Sequence, residues 1–351
     1  MGETGLPGSR WPVMLAPLAA AVVAAAVMAG PPAAFGATHT RAMTSRASLG
    51  HEVIAYVTAA GKHTGTVTPI RAATNTALPP VKVGLGPEAI AVTPDGKTVY
   101  VGNTASDTVT PIRTATGTAL PPITTGQTPQ DIAITPDGKT AYVTNANGGT
   151  VTPIRTATDT ALRPIKTGQN PQDIAITPDG KTAYVANANG GTVTPIRTVT
   201  NTALPSIKAG TGPIAVVVAP DGKTAYALNF GKPNGNGGTV IPIRTATNTA
   251  LRPIKTGSGP TTLAVTPDGK TAYVVNTGSS TVTPIRTATN TALRPVKTGQ
   301  KPLAIAVTPN GTTVYVVNEL SSTVTPIRTA SNTALRPIKV GSFPLAIAIT
   351  A

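Results

Sequence analysis

The sequence predicts an all-β fold: a single seven-bladed β-propeller of four-stranded antiparallel blades, its ring closed by pairing the C-terminal strand with the N-terminal strands. Three observations support this prediction. A Thr-Val-Thr-Pro-Ile-Arg hexapeptide or a near copy occurs seven times, a Pro-Asp-Gly turn recurs in phase with it, and short apolar runs lie between the two. A period of about 40–45 residues with turn signals between short strands is typical of propeller blades.

The arginines that end the hexapeptide define the period. Successive arginines are 42 residues apart, except for one interval of 47. They are Arg71, Arg113, Arg155, Arg197, Arg244, Arg286 and Arg328. The turn keeps the same period, with Asn310 in place of Asp in its sixth copy.

One repeat unit, residues 257–299, shows the four predicted strands. The first strand ends at the turn Pro267-Asp268-Gly269, in which Pro fixes φ and Gly supplies the positive φ of a tight hairpin. The predicted strands are 262–266, 272–275, 281–286 and 292–297. Proline inside every third strand forfeits a hydrogen bond of the ladder, so we expect a bulge or an outward-facing gap there. Proline in the fourth strand suits an outer edge.

The phase of the repeats predicts a closed ring. Second, third and fourth strands each occur seven times, starting at Tyr56. The seventh first strand is residues 345–350, whereas the N-terminal strands from Val53 have no first strand before them. Pairing these two segments completes the seventh blade.

The N-terminal segment is predicted to direct export. Arg10 precedes an apolar run from Trp11 to Gly30, and small residues follow it, as in a secretory signal peptide. We assign residues 1–36 to the signal peptide, 37–52 to a flexible linker and 53–351 to the propeller. The alternative is an uncleaved membrane anchor, because the run is long enough to span a bilayer. If the signal peptide is cleaved, no membrane span remains.

The repeat resembles the YVTN family of β-propeller repeats. The resemblance lies in Tyr142-Val143-Thr144-Asn145 and Tyr184-Val185-Ala186-Asn187, each after Pro-Asp-Gly-Lys, followed by Thr-Val-x-Pro-Ile and a Thr-Ala-Thr-Asn-Thr type of segment. It covers residues 53–350 and implies a propeller fold and export, while it says little about activity. One departure is the Arg that follows the third-strand Ile in every copy, where the family often has Asp or Asn.

Composition leaves little material for catalysis. The chain has no cysteine, and its three histidines are all N-terminal. All seven tyrosines occupy one repeat position, which favours a structural role. We therefore predict no catalytic residue, no metal ligand and no cofactor.

Polar residues gather at the predicted mouth of the central channel, where three consecutive first strands begin. These candidate ligand-binding residues are Glu88, Gln130, Asp131, Gln172 and Asp173. The alternative is that exposed junctions tolerate any polar residue. The same face carries residues 230–238, a loop five residues longer than its counterparts, which is either a binding loop or a neutral insertion.

The chain has a formal charge of +15, and most of it is expected on the opposite face, here termed the basic face. Strand direction places there the seven hexapeptide arginines, which are the candidate polyanion-binding residues. It also places there five turn lysines and four fourth-strand arginines: Lys97, Lys139, Lys181, Lys223, Lys270, Arg163, Arg252, Arg294 and Arg336. Such a face attracts polyanions. The alternative is a basic rim that keeps the protein soluble.

These features predict a non-enzymatic binding or scaffold propeller, secreted or associated with the cell surface and monomeric. Its expected partners are an anionic cell-wall polymer or a surface protein, with non-specific nucleic acid as a further candidate. The alternative is a hydrolase or lactonase-like enzyme with an acidic site at the channel mouth around Glu88, Asp131 and Asp173. That alternative rests on analogy with other propellers.

Overall fold

The computed structural model describes residues 22–25, 54–61, 63–71, 74, 76–231, 237–345 and 347. They form seven antiparallel sheets in chain order, numbered here as blades 1 to 7, which confirms the predicted number of blades. Within these residues no helix is long and apolar enough to cross a membrane.

Each blade has an inner strand, a second strand and a third strand, and then two short outer segments. The inner strands are β1 (Val22–Ala25), β6 (Pro87–Val92), β11 (Pro129–Ile134), β16 (Pro171–Ile176), β21 (Pro213–Val218), β26 (Pro260–Val265) and β31 (Pro302–Val307). The second strands are β2 (Ile54–Ala59), β7 (Thr98–Asn103), β12 (Thr140–Asn145), β17 (Thr182–Asn187), β22 (Thr224–Asn229), β27 (Thr271–Asn276) and β32 (Thr313–Asn318). The third strands are β3 (Gly65–Arg71), β8 (Thr108–Arg113), β13 (Thr150–Arg155), β18 (Thr192–Arg197), β23 (Thr239–Arg244), β28 (Thr281–Arg286) and β33 (Thr323–Arg328).

The predicted fourth strand is present as two segments instead of one continuous strand. The first segments are β4 (Thr76–Ala77), β9 (Thr118–Ala119), β14 (Thr160–Ala161), β19 (Thr202–Ala203), β24 (Thr249–Ala250), β29 (Thr291–Ala292) and β34 (Thr333–Ala334). The second segments are β5 (Val81–Val83), β10 (Ile123–Thr124), β15 (Ile165–Lys166), β20 (Ile207–Lys208), β25 (Ile254–Lys255), β30 (Val296–Lys297) and β35 (Ile338–Lys339). In each blade the first segment pairs with the end of the third strand, and the second segment pairs with its beginning.

The interruption of the outer strand explains the proline in every third strand. The carbonyl oxygen of Pro153 accepts a hydrogen bond of 2.8 Å from the backbone N–H of Leu162, which lies between β14 and β15. In an antiparallel strand the N–H and C=O of one residue point to the same side. The donor that Pro153 lacks would therefore face the gap in the outer strand, where it costs no ladder bond. The expected outward-facing gap is confirmed, and Pro164 lies within it on the outer edge.

The inner edge of β2 is paired with β1, Val22–Ala25, which belongs to the predicted signal peptide. Residues 345–350 are the predicted partner of this edge. The structure describes only residues 345 and 347 of that segment, so its pairing stays a prediction. The rest of the predicted signal peptide and the whole predicted linker lie outside the described residues, as do the domain boundaries at 36 and 52.

The apolar core lies between the blades. Within the described residues, each of six clusters of buried side chains combines residues of two successive blades. The cluster between blades 3 and 4, for example, joins Tyr142 and Ile165 of blade 3 to Ile174 and Val185 of blade 4. A blade is one layer thick, so both of its faces need a neighbour.

In blades 2 to 6 the tyrosine of the second strand forms a hydrogen bond with a side chain of the next blade. Tyr142 is fully buried, and its hydroxyl donates to Oδ1 of Asn201 at 2.6 Å, in the turn between the third strand and the outer segments of blade 4. Tyr184 bonds Asn248 at 2.7 Å in the same way. Burial raises the pKa of Tyr142 to about 12, so the hydroxyl keeps its proton at neutral pH. These hydrogen bonds are termed the tyrosine latches below.

The acceptor of the latch needs a backbone conformation that few residues adopt. Asn201 has a φ of 51°, in the left-handed region that Asn, Asp and Gly adopt most readily. In blades 3 to 7 this position is occupied, in order, by Asp159, Asn201, Asn248, Asn290 and Asn332, all with positive φ. In blade 2 the position is Gly117, which has a φ of 63° and offers no side-chain acceptor to Tyr56.

In blades 2 to 7 the second strand ends in an asparagine, which lies at the end of the blade opposite the tyrosine latches. The amide of Asn145 donates to the hydroxyls of Thr150 and Thr152 in the third strand, at 3.0 and 2.9 Å. Its oxygen accepts from the backbone N–H of Gly126 at 3.2 Å. A Cβ at residue 126 would lie 2.8 Å from Cγ of Asn145, so this close approach requires glycine.

The tyrosine latches predict unequal effects of one substitution at two repeat positions. Tyr142→Phe removes the bond to Asn201, and we expect the free energy of unfolding to fall by about 0.5–1.5 kcal/mol. Tyr56→Phe is the matched control, because Gly117 gives Tyr56 no side-chain acceptor, and its effect should be clearly smaller. Denaturant unfolding of both variants tests this, and equal losses would contradict the latch.

Candidate functional sites on the two faces of the propeller

The channel mouth is formed where the inner strands begin. In each of β6, β11, β16, β21, β26 and β31 the register with the second strand shifts after the first proline, as in a β-bulge. Glu88, Gln130 and Gln172 are the residues left unpaired at this shift. Glu88 is exposed, whereas both glutamines are half-buried. The amide of Gln172 donates to Oδ1 of Asn170 at 2.7 Å.

The two aspartates of the channel mouth connect neighbouring inner strands. Oδ2 of Asp131 accepts from the backbone N–H of Ile174 at 3.1 Å, and Oδ2 of Asp173 accepts from that of Val216 at 2.7 Å. Asp173 is only 2% exposed. The inner strand is the edge of its blade, so these carboxylates satisfy N–H groups that the sheet itself leaves unpaired.

The structure thus gives Asp131 and Asp173 a structural role that the sequence pattern did not indicate. It brings the predicted mouth residues to one end of adjacent blades but engages both carboxylates in joining blades 3, 4 and 5. Ligand binding at this end stays a prediction. In the described part of the chain, no group of three or more His, Cys, Asp or Glu side chains is placed to hold a metal ion.

The long loop of blade 5 begins at the same end of the blade. It follows β22, which ends at Asn229, and residues 232–236 within it lie outside the described residues. Phe230 at its start is 38% exposed. The choice between a binding loop and a neutral insertion stays open.

Strand register places the hexapeptide arginines at the other end, as predicted. Arg155 lies opposite Thr140, which directly follows the Pro-Asp-Gly-Lys turn. Arg113, Arg197, Arg244 and Arg286 lie opposite the equivalent threonines. Arg328 lies opposite Thr313, which follows the Pro-Asn-Gly-Thr turn, and Arg71 lies opposite Ile54. Arg163, Arg252, Arg294 and Arg336 lie between the two outer segments, so they are on the outer rim of the blades and not at the strand ends.

The turn lysines are largely balanced by the turn aspartates. Nζ of Lys139 lies 3.6 Å from Oδ2 of Asp137, and three other turns contain the same exposed pair. Burial alone would raise the pKa of Asp137. Hydrogen bonds from the Thr135 hydroxyl and the Lys139 backbone N–H, together with the Lys139 charge, instead lower that pKa below its ordinary value. The turns are therefore close to neutral at physiological pH.

The uncompensated charge of the basic face comes from the third strands. Arg113 is bound by Asp159, and Arg71 also has an interaction partner. The other five arginines are exposed, and the ion pairs found among the described residues do not include them. They are Arg155, Arg197, Arg244, Arg286 and Arg328.

At one boundary between blades the acceptor of the tyrosine latch is an aspartate instead of an asparagine. Between blades 2 and 3 the acceptor is Asp159, whose Oδ1 accepts from Tyr100 at 2.5 Å while Oδ2 binds Nη2 of Arg113 at 2.9 Å. Arg113 also donates to the Thr98 hydroxyl at 2.7 Å and lines a cleft of about 570 Å³ between these blades. The only sequence signal of this arrangement was the single Asp among the Asn copies.

The contacts at the channel mouth predict that removing one carboxylate lowers the free energy of unfolding. Asp173→Ala leaves the Val216 N–H without its partner in a buried place, and we expect the free energy of unfolding to fall by about 1–3 kcal/mol. Glu88→Gln, at an exposed bulge, should change it by less than about 0.5 kcal/mol. Denaturant unfolding distinguishes the two, and an unchanged Asp173→Ala protein would argue against the structural role.

Comparisons with known proteins agree with this architecture. Residues 48–166, which contain the described strands β2–β15 of blades 1 to 3, match the family described as Lactonase, 7-bladed beta-propeller. No curated protein sequence matches the chain. The fold is similar to a structure of hydrazine synthase from Kuenenia stuttgartiensis, with 27% identity and a TM-score of 0.65 over 79% of this chain and 92% of that one.

A second similar structure is a functionally unknown protein from Desulfotomaculum acetoxidans. It is 19% identical, has a TM-score of 0.62 and covers 81% of this chain and 95% of its own, and at this identity the likeness shows the fold alone. These similarities identify the chain as a β-propeller protein, and the description of the matched family agrees with its seven blades.

Proposed function

We propose that this protein is an exported, non-enzymatic binding propeller whose basic face binds an anionic polymer at the cell surface. The observation that carries the proposal is the set of five exposed third-strand arginines that form no ion pair with any residue that the structure describes. Each stands at the same end of a different blade, so the charges are spread along an arc and do not form a single pocket. Such an arrangement suits a long, repetitive anion.

Export supports the choice of partner. The predicted signal peptide, residues 1–36, and the resemblance to the YVTN repeats both imply a protein that works outside the cytoplasm. There the abundant polyanions are cell-wall polymers with a phosphate backbone. Arginine binds phosphate oxygens through two parallel hydrogen bonds, which makes it better suited to this task than lysine.

The test is a binding titration of the chain that begins at Ala37 against polyglycerol phosphate, with duplex DNA as a second probe, at low and high salt. We expect binding that weakens as salt rises, because bound polyanions release counterions. A variant with all five exposed arginines changed to Gln should lose most of this binding. For duplex DNA, the slope of log affinity against log salt should become shallower by about 0.9 per lost phosphate contact.

The chain offers a matched control on its other face. Five exposed lysines of the second outer segments lie opposite the first residue of the third strand, at the channel-mouth end: Lys166, Lys208, Lys255, Lys297 and Lys339. Changing them to Gln removes the same charge but leaves the basic face intact. If both five-fold variants lose binding equally, net charge alone is responsible and the proposal fails. Preference for polyglycerol phosphate over DNA would support a wall polymer as the partner.

A lactonase is the second candidate, favoured by the family match over residues 48–166. Its acidic site would lie at the channel mouth around Glu88, Asp131 and Asp173. The two aspartates already accept backbone hydrogen bonds, which leaves Glu88 as the exposed carboxylate available to activate water.

The enzymatic candidate predicts that the mature chain hydrolyses simple lactones and that Glu88→Gln abolishes this turnover without changing stability. Acid release from a panel of lactones in weakly buffered solution measures it. Under the binding proposal, wild type and Glu88→Gln should both match the rate of buffer alone. A turnover that depends on Glu88 would replace the proposed binding function with catalysis.

A further inference from the structure

Arg113 occupies the same repeat position as the five exposed arginines of the basic face, but it is bound within the protein. Its Nη2 donates to Oδ2 of Asp159 at 2.9 Å, and its Nη1 donates to the Thr98 hydroxyl at 2.7 Å. The side chain of Asp159 is only 14% exposed, so this ion pair lies partly out of the solvent. Both terminal nitrogens of Arg113 therefore already have partners, and the carboxylate cancels its charge.

A single atom distinguishes this boundary between blades from the next one. Asp159 accepts from its latch tyrosine through Oδ1, which leaves Oδ2 as a second acceptor for Arg113. Asn201 also accepts from Tyr142 through Oδ1, but its other side-chain atom is Nδ2, which can only donate. That atom cannot accept from the guanidinium of Arg155, which is exposed.

Positions 159 and 201 are otherwise equivalent in the repeat. Asp159 and Asn201 both have a left-handed φ, of 49° and 51°. Asp159 lies 46 residues after Arg113, and Asn201 lies 46 residues after Arg155. The choice between Asp and Asn at this position therefore decides whether the arginine of the preceding blade is bound or left exposed.

The surroundings of Arg113 supply no excess of positive charge. The cleft of about 570 Å³ that it lines between blades 2 and 3 is also lined by Lys97, Asp95 and Asp137, so its basic and acidic side chains are equal in number. In blade 1, Arg71 is half-buried and has an interaction partner of its own. Blades 1 and 2 thus lack the exposed arginine that each of blades 3 to 7 presents.

We infer that Asp159 sets one end of the polyanion-binding surface and limits that surface to the arginines of blades 3 to 7. The inference rests on the proposed function and adds the extent of its site. The bound polymer contacts the exposed arginines of five successive blades, and its path stops at the boundary between blades 2 and 3. Asp159 acts through Arg113, so it is a positioning residue, and asparagine in its place would extend the surface by one blade.

The test maps the bound polymer one arginine at a time. The full chain is treated with phenylglyoxal, which reacts with guanidinium groups, with and without polyglycerol phosphate, and modified residues are located by mass spectrometry of peptides. Without polymer, we expect Arg113 to react more slowly than Arg155, because two hydrogen bonds hold its guanidinium. With polymer, the arginines of blades 3 to 7 should be protected, while the reactivity of Arg113 should not change.

Exchanging the two residues should move the end of the surface by one blade without changing the net charge. The double substitution Asp159→Asn with Asn201→Asp keeps a side-chain acceptor for both tyrosine latches. We expect Arg113 to enter the set of arginines that the polymer protects and Arg155 to leave it. The number of contacts stays the same, so the salt dependence of binding should be unchanged.

The single substitution Asp159→Asn should add one contact to the surface. For duplex DNA, we expect the slope of log affinity against log salt to become steeper by about 0.9. The matched control adds Arg113→Gln to this variant, which should return the slope to that of the wild type. A slope that stays steep in the control would show that Arg113 is not the added contact and would overturn the inference.

The mapping separates this inference from the proposed function. If the polymer protects Arg113 in the wild type as strongly as Arg155, or if the exchange leaves the protected set unchanged, the inference is wrong and the binding function stands. If the polymer protects none of the arginines, the proposed function fails and the inference fails with it. If the exchange prevents folding, Asp159→Asn alone provides the test at Arg113, since Asn is the residue at this position in blades 4 to 7.

Discussion

Each blade of this protein is a single layer of strands, and its apolar side chains are buried only against the neighbouring blades. Fully burying one aliphatic side chain is worth about 1.5–3 kcal/mol, and six clusters of such side chains join the described blades. The tyrosine latches add a directional contact to five of these six interfaces. The structure is therefore stabilised between its repeats more than within them.

This constraint shapes the surface available for function. Most side chains buried in the described blades are aliphatic residues, tyrosine or threonine, whereas most of the charged side chains lie at the ends of the blades or on their outer rim. At one end the hexapeptide repeats an arginine in every blade, which produces an arc of positive charge. At the other end the inner strands vary, and two of them use aspartate to join neighbouring blades. A long polyanion and a small ligand would consequently need different ends of the molecule.

The same constraint makes the ends of the chain important. A ring of layers has no exposed apolar face once it is closed, but blade 7 exposes Ile338 and Val340. The inner edge of β2 in blade 1 is paired with Val22–Ala25.

The repeats in the sequence alone determined the number of blades, their antiparallel strands and the end of the blades at which the hexapeptide arginines lie. The period, the Pro-Asp-Gly turns and the alternation of short strands predicted seven antiparallel blades, and strand direction alone placed the arginines on one face. These features depend on contacts within a repeat, whose residues lie near each other in sequence. Each copy of the repeat reports them again, so the signal is strong.

Only the tertiary structure decided the contacts between repeats. Asp131 reaches Ile174, 43 residues away, and Tyr142 reaches Asn201, 59 residues away. Nothing in a single repeat indicates which residue of the next blade its side chains meet. The geometry of the blades sets those distances, and it gives Asp131 and Asp173 contacts between blades that the sequence pattern did not indicate.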